Sequence, residues 1–233
     1  MNSQIKLVDL FAGPGGLGEG FSRINKKSKS LTSVSIEMDR VAVETLRLRK
    51  LFRITTDQNG SILKNYYQIP KKFSKHKDQV FHLIDENIEE KLDLSVWHHE
   101  LGTLSPERTY EEINSRLNKL DSKKSECVLI GGPPCQAYSI SGRSRRSKME
   151  KEGAYIPKKD ERHFLYQQYL GLLPKFRPAI FIMENVPGIL SSKMNGEPIF
   201  ERILDDLRNI DGIKYELFPL TKHHGNLFNK YEG

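Results

Sequence analysis

Three short, mainly apolar segments, each followed within three residues by glycine, proline or an acidic residue, set the strongest limit on how this chain can fold. They are IKLVDL before FAGPGG, ECVLIGG before PPCQ, and PAIFIM before ENVPG. Such apolar, β-branched runs are typical of strands buried on both faces of a parallel sheet. Segments with apolar residues at helical spacing stand between them, among them RVAVETLRLRKLF and HFLYQQYLGLLPKF. The order predicts an α/β fold with an open, mostly parallel, Rossmann-like sheet.

The other elements follow the same alternation at the start of the chain and are harder to assign in its middle. The residue pattern predicts helices over GLGEGFSRIN and PIFERILDDLRNI. It predicts strands over LTSVSIEMD and YELFPL. Residues 53–125 are polar, rich in lysine and poor in strand signals, so we expect a largely helical insertion that covers one sheet edge. Because no repeat or low-complexity linker interrupts the chain, residues 1–233 are expected to form a single domain.

The composition favours a cytoplasmic protein with an acidic partner. No apolar stretch approaches the roughly 18 residues that a membrane-spanning helix needs, and the first residues lack the apolar run of a signal peptide. The formal net charge of +7 favours nucleic acid as the partner, although a lysine-rich surface alone gives the same balance. Two cysteines, Cys127 and Cys135, are too few for a disulfide framework.

The first strand end carries a glycine pattern that suits a nucleotide. Gly13, Gly15 and Gly18 form G-x-G-x-x-G between a strand and a helix, where a tight turn lets a ligand approach the backbone closely. Glu37 ends the next strand, and a carboxylate there can accept hydrogen bonds from ribose hydroxyls. The pattern predicts an adenosine-bearing cofactor and leaves NAD, FAD and S-adenosylmethionine open. The alternative is a structural turn beside an ordinary surface glutamate.

The second strand end places a thiol on a stiff turn. Pro133 and Pro134 fix the backbone before Cys135, and ligands of open α/β sheets bind beyond the carboxyl ends of the strands. A thiol held there is suited to nucleophilic attack, and nearby arginines of the basic loop after it would favour the thiolate. Cys127 lies inside the apolar strand and is expected to be a core residue.

The third strand end carries Glu184 and Asn185, followed by a Val-Pro-Gly turn. A carboxyl group this close to buried chain can hold or donate a proton near neutral pH. The alternative is that both residues serve only as cap or turn residues.

Three segments together resemble, in this order, the motifs of the DNA (cytosine-5)-methyltransferases: DLFAGPGGLGEGF, GGPPCQAYS and FIMENVPGIL. The resemblance covers most of the chain except residues 53–125. It implies the sheet of an S-adenosylmethionine-dependent methyltransferase, methylation of carbon 5 of cytosine in DNA, and a role in restriction–modification. It also implies that Cys135 adds to carbon 6 of a cytosine flipped out of the duplex. Glu184 would contact ring nitrogen 3 and the exocyclic amine, and Asn185 would brace the turn around the cysteine.

The same resemblance implies two sets of binding residues. In the S-adenosylmethionine site, Glu37 would hold the ribose and Met38 would pack on the adenine. The full set of implied cofactor residues is Phe11, Ala12, Gly13, Gly15, Gly16, Glu37, Met38, Pro134 and Leu165. A loop from Gln136 to about Gly153 is similar to the mobile loop that closes over DNA in the family, where basic side chains meet phosphates. Its implied DNA-binding residues are Gln136, Ser139, Ser141, Arg143 and Arg145.

Two features depart from the family pattern. The acid that follows a third strand in the family is hidden by the insertion, and Glu100 in WHHELG is the candidate for it. The two adjacent histidines of that segment are a poor match to a metal site, so no metal is expected.

The larger departure is that nothing in this sequence resembles the family's target-recognition domain. We therefore expect the catalytic part only, completed by a C-terminal half or a second subunit. Alone it is expected to bind S-adenosylmethionine weakly and to methylate double-stranded DNA little or not at all. Two other interpretations stay open: an NAD-type oxidoreductase with a catalytic cysteine, and a non-catalytic DNA-binding or regulatory module of the same fold.

Overall fold

The computed structural model describes residues 5–24, 31–59, 86–123, 125–133, 165–191, 193–194 and 197–220. The described residues fall into two compact units. The first contains those up to 133 together with 165–185, and the second contains those from 186 onward. The assignment of residues 1–233 to a single domain stays a prediction.

A five-stranded sheet forms the centre of the first unit. Its strands are β1 (Ile5–Leu10), β2 (Leu31–Glu37), β3 (Val96–His98), β4 (Glu126–Gly131) and β5 (Ile180–Met183). The spatial order is β3-β2-β1-β4-β5, and every neighbouring pair is parallel. The central strand β1 is buried on both faces, which explains why its sequence is nearly continuous in apolar residues. The predicted open, parallel α/β fold is therefore confirmed.

Five helices in the described part of the first unit connect these strands: α1 (Gly16–Ile24), α2 (Arg40–Asn59), α3 (Glu86–Ser95), α4 (Pro106–Leu120) and α5 (Leu165–Phe176). The start of α4 shows how local sequence sets a boundary. Ser105 is the N-cap, its side chain accepts a hydrogen bond from the Arg108 amide, and Pro106 takes the first helical position. None of the described helices combines the length and the apolar character that crossing a bilayer requires.

Strand β3 was not predicted from the sequence. The described parts of 53–125 are helical in α2, α3 and α4, as expected, but Val96–His98 pairs in parallel with the end of β2 and forms one edge of the sheet. Three residues are too few to show the alternation by which a strand is recognised. The insertion therefore extends the sheet by one strand as well as covering it.

The second unit is small and contains a single α-helix among its described residues. Its elements are a 3-10 helix (Pro187–Ser191), the hairpin β6 (Lys193–Met194) and β7 (Glu197–Pro198), the helix α6 (Ile199–Arg208), and the hairpin β8 (Asn209–Ile210) and β9 (Ile213–Lys214). The residues of α6 that are buried recur at helical spacing: Ile199, Ile203, Leu204 and Leu207.

The strand predicted for YELFPL is wrong. Residues 215–220 form no strand, and Phe218 and Leu220 are each 75% exposed. The chain instead pairs β8 with β9 around a turn at Asp211 and Gly212, both at positive φ. Pro219 also lacks the amide that a strand ladder needs, so the apolar pattern of this segment has no sheet to join.

The Tyr169 hydroxyl links α5 to β4 and β5. Removing this hydroxyl tests how much the link contributes to stability. The buried hydroxyl lies 3.1 Å from the carbonyl oxygens of both Leu129 and Ile182 and donates to them. We expect Tyr169→Phe to lower the free energy of unfolding by about 1–2 kcal/mol, because the carbonyls lose a buried donor. Urea denaturation measures this. The matched control Tyr110→Phe, whose ring packs edge-on against Phe176, should change it by less; equal losses would contradict the assignment.

Candidate active site

All five strands of the sheet end at the same edge, and the described residues singled out from the sequence gather near it. The glycine turn follows β1, Glu37 ends β2 and Glu184 follows β5. Neighbouring strands lie about 4.8 Å apart. Glu37 and Glu184, three strands apart, are therefore separated by roughly 14 Å, which leaves room for two small ligands side by side. The strand order reverses between β1 and β4, the place where open α/β sheets bind ligands.

The glycine turn is open on one side and packed on the other. Phe11, Gly13 and Gly15 have positive φ angles of 54°, 54° and 89°, a backbone region that is costly for an aromatic residue and marks a constrained turn. A Cβ added to Gly13 or Gly16 would meet no atom within 4 Å, whereas one added to Gly15 would lie 2.8 Å from Leu46 Cδ2. The turn therefore offers open backbone to a ligand while α2 supports it from behind.

Glu37 joins the ends of β1 and β2. Its Oε2 accepts a 2.8 Å hydrogen bond from the Gly13 amide, and its Oε1 accepts from the Met38 and Asp39 amides at 2.9 and 2.7 Å. A carboxylate has about four acceptor positions, so to accept from two ribose hydroxyls it would have to exchange one amide contact. Met38, beside it, is 56% exposed, as a residue that packs on a ligand would be.

The end of β3 supports the end of β2. His98 Nε2 lies 3.0 Å from the Met38 carbonyl oxygen, and the His99 amide donates to the Glu37 carbonyl at 3.0 Å. The exposed Glu100 follows a third strand, the position at which the resemblance implies an acid. Sequence reasoning missed His98 because it missed β3; the only signal was the short run of β-branched and aromatic residues Val96 and Trp97.

The loop after β3 also approaches the start of α5, where Leu165 stands. A Cβ on Gly102 would lie 3.3 Å from Gln168 Cδ, one helical turn beyond Leu165. Leu165 is the first residue of α5 and is partly buried. The structure thus places it in the neighbourhood of the β3 loop, while its contact with a cofactor stays a prediction.

Glu184 lies across the end of β4. Its amide donates to the Gly131 carbonyl at 2.9 Å, and a Cβ on Gly132 would lie 2.9 Å from Glu184 Oε2. A Cβ on Gly131 would meet the Leu10 carbonyl oxygen at 2.5 Å. The two glycines of GGPPC are therefore needed for close packing at the strand end, and the exposed Glu184 side chain lies beside them.

Of the two cysteines, Cys127 lies within the described strand β4. Cys127 in β4 is partly buried, and burial raises the pKa of its thiol to about 11, so it is protonated at neutral pH. Cys135 and Pro134 lie outside the described residues, as do the implied DNA-binding residues Gln136, Ser139, Ser141, Arg143 and Arg145. Their roles stay predictions. Among the residues that the structure describes, no group of three or more His, Cys, Asp or Glu side chains could hold a metal ion.

An open parallel sheet, a glycine turn after β1 and a carboxylate at the end of β2 define a Rossmann-like class of α/β protein. Comparison with known proteins narrows this class. Residues 102–221 match the family model described as C-5 cytosine-specific DNA methylase. The chain belongs to this family, so the resemblance seen in its motifs is confirmed.

Individual relatives agree with the family match. Type II methyltransferase M.Bpa9945I of Bacillus paralicheniformis is 32% identical over 197 residues, which are 80% of this chain and 42% of that protein. The putative type II methyltransferase M.MjaORF1200P of Methanocaldococcus jannaschii is 28% identical over 79% of this chain and 49% of its own length. The DNA-cytosine methyltransferase of Escherichia coli K12 is 24% identical over 80% of this chain and 30% of its own length. The chain thus spans less than half the length of each of these relatives.

Proposed function

We propose that this chain carries the catalytic part of an enzyme that transfers a methyl group from S-adenosylmethionine to carbon 5 of cytosine in DNA, within a type II restriction–modification system. The observation that carries the proposal is the arrangement at the sheet edge. Glu37 is fixed to the open glycine turn, and Glu184 emerges two strands beyond that turn. This arrangement occurs in a chain that belongs to the cytosine-specific methylase family.

The described residues fit the proposed cofactor. The open space at Gly13 and Gly16 admits a ligand to the backbone, and the Glu37 carboxylate suits a ribose. Met38 is exposed next to that carboxylate and offers an apolar surface to a purine. Membership of the methylase family favours S-adenosylmethionine over NAD and FAD. When bound, S-adenosylmethionine would supply an electrophilic methyl group on a sulfonium.

Cys135 is the proposed nucleophile. Carbon 5 of cytosine is a poor nucleophile, and a thiolate that adds to carbon 6 converts the ring to an enamine whose carbon 5 can accept a methyl group. Loss of the carbon 5 proton and departure of the thiolate then restore the aromatic ring. Cys127 is unsuited to this role because burial keeps its thiol protonated.

Glu184 is proposed to hold the base, and Asn185 to brace the turn that carries Cys135. Glu184 is exposed at the end of β5, and its backbone is fixed to β4 by the hydrogen bond to Gly131. Through ring nitrogen 3 and the exocyclic amine it would stabilise the activated ring. A base can reach these groups only when it has left the duplex.

The proposed substrate is double-stranded DNA. The net charge of +7 favours a polyanion, and the arginines of the loop after Cys135 would contact phosphates. Because the chain spans less than half of its relatives, we propose that a target-recognition segment outside it, in the same polypeptide or in a second subunit, completes the enzyme.

Trapping on DNA tests the proposal. The chain is incubated with S-adenosylmethionine and a random-sequence duplex in which 5-fluorocytosine replaces cytosine. The fluorine stands in place of the hydrogen that must leave carbon 5 as a proton, and because fluorine cannot leave as a cation the adduct persists. We expect a covalent protein–DNA band when the part of M.Bpa9945I outside its matched region is supplied, and little without it. Binding of S-adenosylhomocysteine without any adduct would favour a non-catalytic module. Calorimetric binding of NAD in its place would favour an oxidoreductase.

A further inference from the structure

Asp9 is a buried carboxyl group directly behind the glycine turn. It lies in β1, is 1% exposed, and neither of its oxygens has a hydrogen-bond partner within the described part of the chain. Burial raises the pKa of Asp9 to about 7, against the opposing effect of the Lys50 ammonium. An acid in this position is costly for folding, and neither proposed catalysis nor ribose binding uses it directly.

Lys50 is the cation that faces this acid. It projects from α2, and its Nζ donates a hydrogen bond to Ser33 Oγ on β2. Burial lowers the pKa of Lys50 to about 8, and the charge of Asp9 opposes that shift. Asp9 and Lys50 thus form a coupled acid–base pair between the central strand and the second helix.

The pair adjoins the glycine turn through direct packing and through a shared cavity. A Cβ on Gly18 would lie 2.8 Å from Asp9 Oδ2, and a Cβ on Gly15 would lie 3.4 Å from Arg49 Cδ, next to Lys50 in the chain. A cavity of about 30 Å³ is lined by Asp9, Gly15, Gly18 and Lys50 among others, enough for about two water molecules. A displacement of Asp9 or Lys50 is therefore expected to change the position of residues in the glycine turn.

Asp9 also lies close enough to Glu37, the proposed ribose-binding carboxylate, for their charges to interact. Glu37 raises the pKa of Asp9, so the two carboxylates interact electrostatically. The other charged groups around the cavity are Glu19 on α1 and Arg49 and Arg53 on α2. Hydrogen bonds from Arg23 and Arg53 lower the pKa of Glu19 in spite of its partial burial, so Glu19 is ionised near neutral pH.

Stability does not account for the pair. The raised pKa of Asp9 gives stability that is present below about pH 4, its unfolded value, and is lost as the pH rises through 7. The lowered pKa of Lys50 gives stability that is present above about pH 10 and is lost as the pH falls through 8. Between these two pKa values both groups are mostly ionised, so most of each burial cost applies. Opposite charges in such a setting often stabilise a fold less than apolar replacements would.

We propose that Asp9 and Lys50 are positioning residues for the cofactor, which together fix α2 against the back of the glycine turn so that the Gly13 amide and Glu37 are held in the geometry that binds it. The proposal rests on the proposed function, since it assigns the turn to S-adenosylmethionine. It differs from a structural role in one respect: removal of the pair should weaken binding without weakening the fold.

The double variant D9N/K50M tests this directly. At about pH 7.5 we expect its free energy of unfolding to equal or exceed that of the unchanged chain. We expect its dissociation constant for S-adenosylhomocysteine, measured by calorimetry, to rise about tenfold. The control K91M, at an exposed position of α3, should change neither quantity. Unchanged affinity in D9N/K50M, or a loss of stability that parallels the loss of affinity, would overturn the proposal.

The pH dependence of binding gives a second readout that needs no stable variant. In the unchanged chain, affinity for S-adenosylhomocysteine should be highest between the two pKa values, about 7 and about 8, and should fall on either side. D9N should lose the decline in affinity on the acidic side, whereas K91M, at the exposed position of α3, should keep it. A flat profile would reject the pair as a positioning device. Failure of the unchanged chain to bind S-adenosylhomocysteine at any pH would instead reject the proposed function.

Discussion

Replacement of Cys135 by serine is expected to abolish the covalent adduct with 5-fluorocytosine DNA and to reduce methyl transfer by at least about 10³-fold. A serine hydroxyl keeps the size of the thiol but ionises too little at neutral pH to add to a pyrimidine ring. Binding of S-adenosylhomocysteine should be unchanged, since the glycine turn and Glu37 stay intact. Gel mobility of the denatured adduct and transfer of a radiolabelled methyl group, both with the completing segment supplied, measure the effect.

Cys127 provides the matched control for that experiment. Its thiol has a pKa of about 11, so roughly one molecule in a thousand is thiolate at pH 8. Cys127→Ala should therefore leave the adduct intact even if the small cavity lowers stability. An adduct that persists in Cys135→Ser, or that disappears in Cys127→Ala at temperatures where the variant is folded, would remove Cys135 from the nucleophilic role.

The elements that were predicted from the sequence are those whose signals are local. β1, β4 and β5 each consist of a mainly apolar run with a glycine, proline or acid within three residues of its end, and such a run identifies a buried strand without knowledge of its neighbours. The positions of Glu37 and Glu184 at one sheet edge follow from the parallel order alone, because the carboxyl ends of parallel strands meet there.

The features that sequence reasoning missed depend on contacts between distant segments. β3 is a strand only because β2 offers it an edge, and residues 215–220 are not a strand because none of the described strands pairs with them. The Asp9–Lys50 pair requires Lys50 of α2 to line the same cavity as Asp9 of β1, and nothing in either segment alone indicates it. An acid within an apolar strand was the one visible signal, and it indicates that a partner is needed without identifying it.

Replacement of Glu37 by alanine is expected to raise the dissociation constant for S-adenosylhomocysteine by about 30–100-fold, the loss of one or two hydrogen bonds to a charged group. The Glu37 carboxylate accepts a hydrogen bond from the Gly13 amide at 2.8 Å and others from the Met38 and Asp39 amides. Its loss removes both the proposed ribose acceptor and the link between the ends of β1 and β2. Calorimetry measures the affinity, and thermal unfolding in the absence of ligand measures how much of the loss is structural.

Glu37→Gln separates these two contributions. Glutamine keeps one carbonyl oxygen for the Met38 and Asp39 amides but turns an amide donor toward the Gly13 N–H, so the link between the two strand ends is lost while the outer contacts persist. We therefore expect affinity between those of the unchanged chain and Glu37→Ala, with a smaller loss of stability. Glu90→Ala, at an exposed position of α3, should behave as the unchanged chain. If Glu37→Ala binds S-adenosylhomocysteine normally, the carboxylate serves only the turn, and the adenosine must be held by other groups at this edge of the sheet.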